Sequence, residues 1–345
     1  MKQTGYLAEP INLALNESPF GASPEAIAAA KASVGQAGRY ADVRYTSLRE
    51  GIGAHYGIDP ALIVCGNGSE ELVECAARAF AGAGAEIIFP IHSFILFSVV
   101  SARLGANTVR SAERDFVCDV DDILQRATDR TRLVFLANPN NPTGSVLPTS
   151  EIARLRVGLP AEVVLVIDAA YAEYVQDPTY AAGHDLVAAG TRTVVLQTFS
   201  KAFGLPGLRI GWAHAPAELA MALDRTRNLS NVNSVGAAAA LAALADRAFV
   251  ARVVDETIVN RAKLVSALCK LGLEPLPSAG NFIAVRFPEA CALTAIEAHE
   301  SLRSSGILVR PLADYGLPDY LRITIGSREQ IQVLVDRLAK ALSRT

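Results

Sequence analysis

The amino-acid sequence predicts an α/β fold, with a large domain built on a mostly parallel sheet and a smaller α/β C-terminal domain. From residue 62 onward, short apolar runs alternate with turns and with segments of helical periodicity. Residues 163–167 are entirely apolar, which is typical of a central strand covered on both faces. From about Pro216 onward helices predominate. The chain has 345 residues, about half of them hydrophobic, and is long enough for two domains.

The first helix is predicted at residues 24–34. Ser23 is a suitable N-cap, Pro24 occupies the first helical position, and an acidic residue follows in the first turn. The preceding residues 12–22 combine Asn, Ser, Pro and Gly, which is the composition of a loop. A polar segment at residues 38–45 and a helix at residues 47–56 follow.

The large domain is predicted from alternating apolar runs and periodic segments. The strands are predicted at residues 62–65, 86–89, 108–111, 132–136, 163–167, 194–197 and 210–213. The segments 72–80, 94–104, 119–127 and 150–156 continue the alternation between them, mostly as helices.

The C-terminal part is predicted to be a mixed α/β domain, with residues 276–280 as a hinge-like loop near its start. Its helices are predicted at residues 217–227, 234–245, 249–271, 293–304 and 328–342, and its strands at residues 281–287, 307–310 and 320–325. We therefore expect an N-terminal arm and helix (1–35) packing on the small domain or on a partner, a large domain (36–240) and a small domain (241–345).

Composition argues against several classes of function. The formal net charge is −3 without a long run of one sign, which disfavours nucleic acid and anionic membranes as partners. The N-terminus lacks a signal-peptide pattern, and no apolar run reaches a membrane span, so we expect a cytoplasmic protein. Five scattered cysteines and five unpaired histidines give no support for a metal site.

Lys201 is the first candidate catalytic residue. It follows the apolar run at residues 193–196 and precedes glycines, a proline and Arg209. We therefore expect it just past the carboxyl end of a buried strand, where open α/β sheets bind ligands. A solvated surface lysine is the alternative.

A glycine-rich turn at residues 66–70 opens a predicted helix. Such a turn leaves backbone N–H groups of Gly68 and Ser69 unpaired at the positive end of the helix, which suits a phosphate. An ordinary capped helix after a flexible loop is the alternative.

Polar residues also end two of the predicted strands. Two Asn–Pro steps at residues 138–144 force an irregular turn, in which either bond is a candidate for the cis form and an asparagine amide is fixed. A tight surface turn is the alternative.

Asp168 ends the most apolar strand, where a carboxylate is costly without a positive partner. An aspartate that caps the next segment is the alternative.

Together these strand-end groups suit pyridoxal 5′-phosphate (PLP): amides for its phosphate, Asp168 for its ring nitrogen, an asparagine and a tyrosine for its phenolic oxygen, and Lys201 for its aldehyde. The sequence also resembles the fold-type I PLP-dependent aminotransferases, most closely the histidinol-phosphate aminotransferase family, along nearly its whole length. The resemblance rests on LNESPFG (15–21), RY (39–40), GNGSEE (66–71), NPNNPTG (138–144), DAAY (168–171), TFSKAFGLPGLRIG (198–211), NVN (231–233) and LRITIG (321–326).

The resemblance implies an aspartate-aminotransferase-like, mostly parallel seven-stranded sheet, a homodimer, and a role for each matching residue. Lys201 would hold the cofactor covalently and move the substrate proton, with Asp168 at the ring nitrogen. The further cofactor contacts it implies are Asn141 and Tyr171 at the phenolic oxygen, Gly68, Ser69, Glu70, Thr198, Ser200 and Arg209 at the phosphate, Phe94 stacked on the ring, and Tyr40 from the partner subunit. The implied substrate contacts are Arg322, Arg310, Phe20 and Asn16.

Burial beside Arg209 is expected to lower the pKa of Lys201 from about 10.4 by roughly 3 units, so that its amine can act as a base. Asp168 must stay ionised to keep the ring nitrogen protonated.

The sequence leaves four hypotheses open for the substrate and reaction. Histidinol phosphate as amino donor with 2-oxoglutarate as acceptor is the leading hypothesis. Phe20, Phe94 and Leu229 could instead line an apolar pocket for an aromatic amino acid, because Phe94, Ala169 and residues 227–230 depart from the family pattern. A decarboxylase acting on threonine phosphate is a third hypothesis, and a PLP-binding sensor without turnover is a fourth.

Overall fold

The protein is described by a computed structural model that covers residues 10–343. Its two main β-sheets have seven and four strands, and helices pack around both. The helices are α1 (Pro24–Val34), α2 (Thr46–Tyr56), α3 (Ser69–Phe80), α4 (Ile95–Leu104), α5 (Val120–Arg126), α6 (Thr149–Gly158), α7 (His184–Ala188), α8 (Ala217–Thr226), α9 (Ser234–Ala245), α10 (Arg247–Lys270), α11 (Ala295–Ser304) and α12 (Arg328–Leu342).

The strands follow the predicted alternation through the first two thirds of the chain. They are β1 (Ile11–Asn12), β2 (Ile63–Gly66), β3 (Glu86–Pro90), β4 (Asn107–Ser111), β5 (Glu113–Arg114), β6 (Val117–Cys118), β7 (Thr131–Ala137), β8 (Val164–Asp168), β9 (Thr193–Thr198), β10 (Gly211–His214), β11 (Glu274–Pro275), β12 (Phe282–Arg286), β13 (Ile307–Leu308), β14 (Arg310–Pro311) and β15 (Tyr320–Thr324).

The seven-stranded sheet has the order β2-β10-β9-β8-β7-β3-β4, and only β10 runs antiparallel to its neighbours. The predicted α/β fold with a mostly parallel sheet is therefore confirmed. Alternate residues of β7 belong to different apolar clusters, Phe135 to one and Val134 to another, because helices cover both faces. The parallel pairing of β7, β8 and β9 brings their carboxyl ends to one edge of the sheet.

The four-stranded sheet has the order β11-β12-β15-β14 and is antiparallel throughout. Its apolar face packs with α10, α11 and α12 through residues such as Leu264, Leu302 and Leu334. Near the N-terminus, β1 pairs in parallel with β13, and Leu13 is buried in the same cluster. The predicted boundaries of the three regions stay a prediction.

The predicted strand ends lie mostly within one residue of the observed ends, and two of the differences have a clear structural reason. Leu62 belongs to a 3₁₀ turn, Pro60–Leu62, that precedes β2. The single strand predicted at residues 307–310 is divided, because β13 pairs with β1 whereas β14 pairs with β15. No helix within residues 10–343 is both long and apolar enough to cross a membrane.

Candidate active site

A cavity of about 280 Å³ lies at the carboxyl ends of β7, β8 and β9. It brings together most of the residues singled out in the sequence. They are Asn16, Ser69, Glu70, Phe94, Asn141, Asp168, Tyr171, Thr198, Ser200, Lys201, Arg209, Arg310 and Arg322. Gly68 does not line the cavity itself but directly precedes Ser69.

Phe20, Tyr40 and Leu229 are not among the residues that line the cavity. Phe20 lies in a tight turn that the N–H of Gly21 closes on the carbonyl of Ser18, at 3.2 Å. Leu229 is 85% exposed, and Tyr40 is 94% exposed. The apolar pocket expected from Phe20, Phe94 and Leu229 therefore does not form within this protomer, because only Phe94 reaches the cavity.

Sequence reasoning missed two polar residues of the cavity, Glu17 and Tyr315. Glu17 lies next to Asn16 in the quoted motif at residues 15–21, so this motif could have indicated it as a site residue. Tyr315 ends a 3₁₀ turn, Ala313–Tyr315, between β14 and β15. A single turn has no periodicity, so no signal in the sequence could have assigned it.

Lys201 extends its amine toward the carbonyl oxygens of Leu15 and Asn16, at 3.4 and 3.3 Å. Desolvation, followed by the positive charge of Arg322, lowers the pKa of Lys201 to about 8. The predicted direction is right, but the predicted neighbour, Arg209, was wrong. Arg322 acts instead, since β15 carries it to the same cavity.

Asp168 ends β8 and is only 6% exposed. Its Oδ1 accepts a hydrogen bond from the N–H of Ala170 at 3.1 Å, so it also caps the following turn. Among residues 10–343 no cationic side chain forms an ion pair with it, and burial raises its pKa to about 6. A buried carboxylate without a cation suits a ligand that brings its own positive charge.

Tyr171 follows Asp168 by three residues and is almost completely buried. Its hydroxyl oxygen accepts a hydrogen bond from Nδ2 of Asn16 at 3.0 Å. Asn16 is held in turn by Thr324, whose hydroxyl donates to Asn16 Oδ1 at 3.2 Å. Burial raises the pKa of Tyr171 to about 12, so the phenol stays protonated at neutral pH.

The anion-binding end of the cavity lies at the start of α3. Gly68 has φ +83°, and a Cβ there would collide with Nη2 of Arg209. Glycine thus allows the guanidinium to lie against the turn. Nη2 of Arg209 also lies 3.2 Å from Glu70 Oε2. The hydroxyl of Thr198 donates to Ser200 Oγ at 3.0 Å. Helix N–H groups, hydroxyls and a guanidinium therefore converge here, as a phosphate requires.

Arg322, which also lines the cavity, connects the two sheets. Its Nη1 donates to Asn141 Oδ1 at 2.6 Å, and its Nη2 donates to the carbonyl of Ala14 at 2.7 Å. Because a guanidinium only donates, the amide oxygen of Asn141 must face it, which leaves the amide N–H₂ for a ligand oxygen. The Asn138–Pro139 and Asn141–Pro142 peptide bonds are both cis.

Comparison with known proteins identifies the family. The sequence matches the aminotransferases of class I and II over residues 8–338. The chain belongs to this family. The histidinol-phosphate aminotransferase of Paramagnetospirillum magneticum is 44% identical over 328 residues, which cover 95% of this chain and 90% of that protein. That of Rhodopseudomonas palustris is 41% identical and covers 98% of this chain and 94% of its own length. The protein is therefore a PLP-dependent aminotransferase, as the sequence motifs predicted.

Solved structures agree with this assignment. The crystal structure of histidinol-phosphate aminotransferase from Sinorhizobium meliloti in complex with pyridoxal-5′-phosphate superposes with a TM-score of 0.91 at 28% identity, covering 99% of this chain and 96% of that chain. A Thermus thermophilus aspartate aminotransferase has the same fold, with a TM-score of 0.84 at 24% identity over 96% of each chain. The predicted aspartate-aminotransferase-like fold is confirmed.

The cavity of this aminotransferase fits PLP. The unpaired buried carboxylate of Asp168 is complementary to a protonated ring nitrogen, and the convergent donors at the start of α3 are complementary to the phosphate. Lys201 supplies an amine whose lowered pKa favours reaction with an aldehyde. No group of three or more His, Cys, Asp or Glu side chains within residues 10–343 is arranged to hold a metal ion.

Proposed function

We propose that this aminotransferase transfers the amino group of histidinol phosphate to 2-oxoglutarate. The observation that carries the proposal is the presence of two guanidinium groups, Arg310 and Arg322, in the same cavity as the cofactor-binding groups. Both substrates bear an anionic group away from the reacting nitrogen or carbonyl, and one arginine pair can serve them in turn. Curated relatives that match nearly the whole chain are named histidinol-phosphate aminotransferases.

When bound, PLP supplies an electron sink that weakens the bonds at the substrate α-carbon. In our proposal Lys201 would hold the cofactor covalently and, once its amine is free, would take the proton from the substrate α-carbon and deliver it to the cofactor carbon that had carried the aldehyde. In the cofactor-free protein the lowered pKa of Lys201, about 8, leaves about a tenth of its amine uncharged at pH 7, far more than in an ordinary lysine. Asp168 would stabilise a positive charge on the ring nitrogen, and Phe94 would contact the ring.

The remaining contacts proposed for this chain orient the cofactor. Asn141 and Tyr171 donate hydrogen bonds to the phenolic oxygen. Ser69 and Glu70 contribute backbone N–H groups at the first turn of α3, next to Gly68. Thr198, Ser200 and Arg209 complete the phosphate site, and Asn16 holds Tyr171 in position.

Glu17 favours histidinol phosphate over an aromatic amino acid. Glu17 lines the cavity, where its negative charge acts on Lys201. A donor that combines an anionic phosphate with an imidazole N–H matches a cavity that combines arginines with a carboxylate. Phenylalanine offers a carboxylate to an arginine but no imidazole N–H to Glu17, and Phe20 and Leu229 do not supply the apolar lining it would need.

We further propose a homodimer in which Tyr40 reaches the cofactor phosphate of the partner subunit. An aromatic residue with 94% of its surface exposed is complementary to such a contact. Leu229, 85% exposed, adds apolar surface that a partner could cover. The cytoplasmic location stays a prediction.

The proposed function is tested with a panel of amino donors assayed for glutamate formation from 2-oxoglutarate. We expect histidinol phosphate to have a kcat/KM at least tenfold above that of phenylalanine. The reverse order would favour the aromatic amino acid aminotransferase. Carbon dioxide release from threonine phosphate without an oxo acid would identify a decarboxylase, and PLP binding without any turnover would identify a sensor.

A further inference from the structure

His92 links the segment before α4 to a turn that lies between β14 and β15. It follows β3 and stands two residues before Phe94, which lines the cavity. Its Nδ1 lies 2.7 Å from the carbonyl oxygen of Tyr315, a second cavity residue. A carbonyl oxygen only accepts, so Nδ1 of His92 carries the proton and donates it. This hydrogen bond joins the part of the chain that forms the seven-stranded sheet to the part that forms the four-stranded sheet.

The turn packs closely on the imidazole. Gly316 has φ +76°, and a Cβ at this position would meet Cε1 of His92 at 3.5 Å. The ring of His92 also lies 6.0 Å from that of Phe116, which makes an edge contact with Tyr320 at 5.6 Å. Through Phe116, the ring of His92 is therefore also connected to Tyr320 in the second part of the chain.

His92 is itself held by its backbone. Its N–H donates to Glu113 Oε1 at 3.2 Å, and its carbonyl accepts from Nδ2 of Asn140 at 2.8 Å. Asn140 directly precedes Asn141, the acceptor of the Arg322 hydrogen bond. Asn140 and Asn141, neighbours on the loop after β7, are thus hydrogen-bonded to His92 and to Arg322, the two residues that connect the sheets.

The Tyr315 turn connects the two strands that carry the proposed substrate arginines. Arg310 belongs to β14 and Arg322 to β15, and the N–H of Leu312 donates to the carbonyl of Tyr320 across the two strands at 3.1 Å. Displacement of Tyr315 would therefore move β14 and β15, the paired strands that set the distance between the two guanidiniums. The groups proposed for the cofactor phosphate and ring nitrogen lie on the seven-stranded sheet and its loops, away from these two strands.

We propose that His92 is a positioning residue for substrate binding, which holds the Tyr315 turn, and with it Arg310 and Arg322, against the cofactor end of the cavity. The assignment of the arginines to substrate rests on the proposed function. The hydrogen bond itself does not depend on which donor is used.

Two variants separate this role from a general effect on folding. His92→Leu removes the donor and keeps an apolar side chain of moderate size. His92→Asn is the matched control, because its amide N–H₂ takes the place of Nδ1 and can still donate to the Tyr315 carbonyl. Both are measured as PLP-loaded enzymes with the best amino donor that the wild-type protein accepts.

For His92→Leu we expect a roughly 5- to 30-fold higher KM for the donor, in keeping with loss of one hydrogen bond. We expect kcat to change by less than about threefold and PLP affinity by less than about twofold. Backbone amides of residues 312–317 should exchange with deuterium faster in the substrate-free, PLP-loaded variant. His92→Asn should restore most of the wild-type KM and protection.

An unchanged KM with unchanged exchange in His92→Leu would overturn the proposal, and so would a failure of His92→Asn to restore either quantity. A loss of PLP affinity in proportion to the rise in KM would also overturn it, because it would show a general disturbance of the fold. If the wild-type enzyme does not use histidinol phosphate, the proposed function fails, whereas deuterium exchange still tests His92 without any donor.

Discussion

Nη1 of Arg322 donates to Oδ1 of Asn141 across 2.6 Å, although the two residues are 181 positions apart in the chain. This contact joins β15 of the four-stranded sheet to the loop that follows β7 of the seven-stranded sheet. It orients the Asn141 amide toward the cavity and brings a positive charge near Lys201. A single buried guanidinium thus affects the cofactor-binding asparagine, the reactive lysine and the proposed substrate site together.

Replacement of Arg322 by lysine should lower kcat/KM by roughly 10- to 100-fold. A lysine keeps the charge, but it cannot donate to Asn141 and to the Ala14 carbonyl in the same fork geometry, and lost hydrogen bonds to a charged group cost about 1.5–3 kcal/mol. Steady-state kinetics with the donor and 2-oxoglutarate measure the effect. Arg286→Lys, in the neighbouring strand β12 and on an exposed ion pair, is the matched control and should remain near wild type. Equal losses in both variants would contradict this assignment.

The rate at which the cofactor-free enzyme captures PLP should rise with pH through about 8. Only the uncharged amine of Lys201 reacts with an aldehyde, and desolvation and Arg322 hold its pKa well below 10.5. Arg322→Gln removes one of these causes, so the midpoint should move to higher pH. Stopped-flow absorbance follows the capture, and Arg209→Gln, which weakens phosphate binding, should leave the midpoint in place. If only Arg209→Gln shifts this midpoint, then Arg209 and not Arg322 lowers the pKa of Lys201, as the sequence suggested.

Asp168→Asn should lower kcat by roughly 100- to 1,000-fold, the usual effect of removing a charge-stabilising group from an active site. The pKa of Asp168 is raised to about 6 in the cofactor-free protein, so its carboxylate is progressively protonated below that pH. PLP affinity of the wild type should therefore fall below about pH 6 more steeply than that of Asp168→Asn. Titration by absorbance between pH 5 and 8 provides the comparison, with the exposed Asp185→Asn as control. Parallel pH curves for wild type and Asp168→Asn would be inconsistent with an ionised Asp168 at the ring nitrogen.

A buried carboxyl outside the cavity should make the protein less stable as pH rises. Glu173 accepts hydrogen bonds from the hydroxyl of Tyr56 and from Nε2 of Gln197, and desolvation raises its pKa from 4.5 to about 7. The folded state therefore favours the protonated form, and the stability this provides is lost between about pH 4.5 and 7. Glu173→Gln mimics the neutral acid. Between pH 5 and 8 its free energy of unfolding should therefore fall by roughly 2–3 kcal/mol less than that of the wild type. Urea unfolding at pH 5 and 8 measures the difference.

The exposed Glu162→Gln variant is the control for Glu173→Gln and should follow the wild-type pH dependence. His214 contributes in the opposite direction, because burial lowers its pKa from 6.5 to about 4 and its stabilising effect is lost as pH falls through this range. The comparison of each variant with wild type cancels this contribution. If Glu173→Gln and the wild type lose the same stability between pH 5 and pH 8, ionisation of Glu173 does not destabilise the folded protein.

Tyr40 should act in the site of the partner subunit. Tyr40→Ala and Lys201→Ala homodimers are both expected to be strongly impaired. When the two are unfolded together and refolded, half of the dimers should be mixed, and each mixed dimer should contain one intact site. Recovery of roughly a quarter of the wild-type activity is therefore expected, against almost none if Tyr40 serves its own subunit.

The strand-end residues could be predicted from the sequence because a parallel sheet collects the carboxyl ends of its strands at one edge. Lys201, Asp168 and Asn141 each follow an apolar strand, so their convergence required only the alternation of strands and helices. The glycine-rich turn indicated Gly68 and Ser69 as an anion site, and the resemblance to a known family added Tyr171, Thr198, Ser200 and Arg209.

What the sequence did not reveal comes from contacts between distant segments. The effect of Arg322 on the pKa of Lys201 depends on how the four-stranded sheet lies over the cavity. Tyr315 belongs to a single turn, and the division between β13 and β14 follows from pairing with β1 near the N-terminus. None of these features has a local periodicity, so each required the folded structure.

The lysine that binds the cofactor can be located by chemical trapping. The PLP-loaded enzyme is reduced with borohydride, digested, and examined by peptide mass spectrometry. We predict a single pyridoxyl-modified peptide carrying the modification on Lys201, which disappears in Lys201→Ala together with the visible absorbance of the enzyme and its turnover. Modification of a different lysine, or retained turnover in Lys201→Ala, would contradict the role assigned to Lys201.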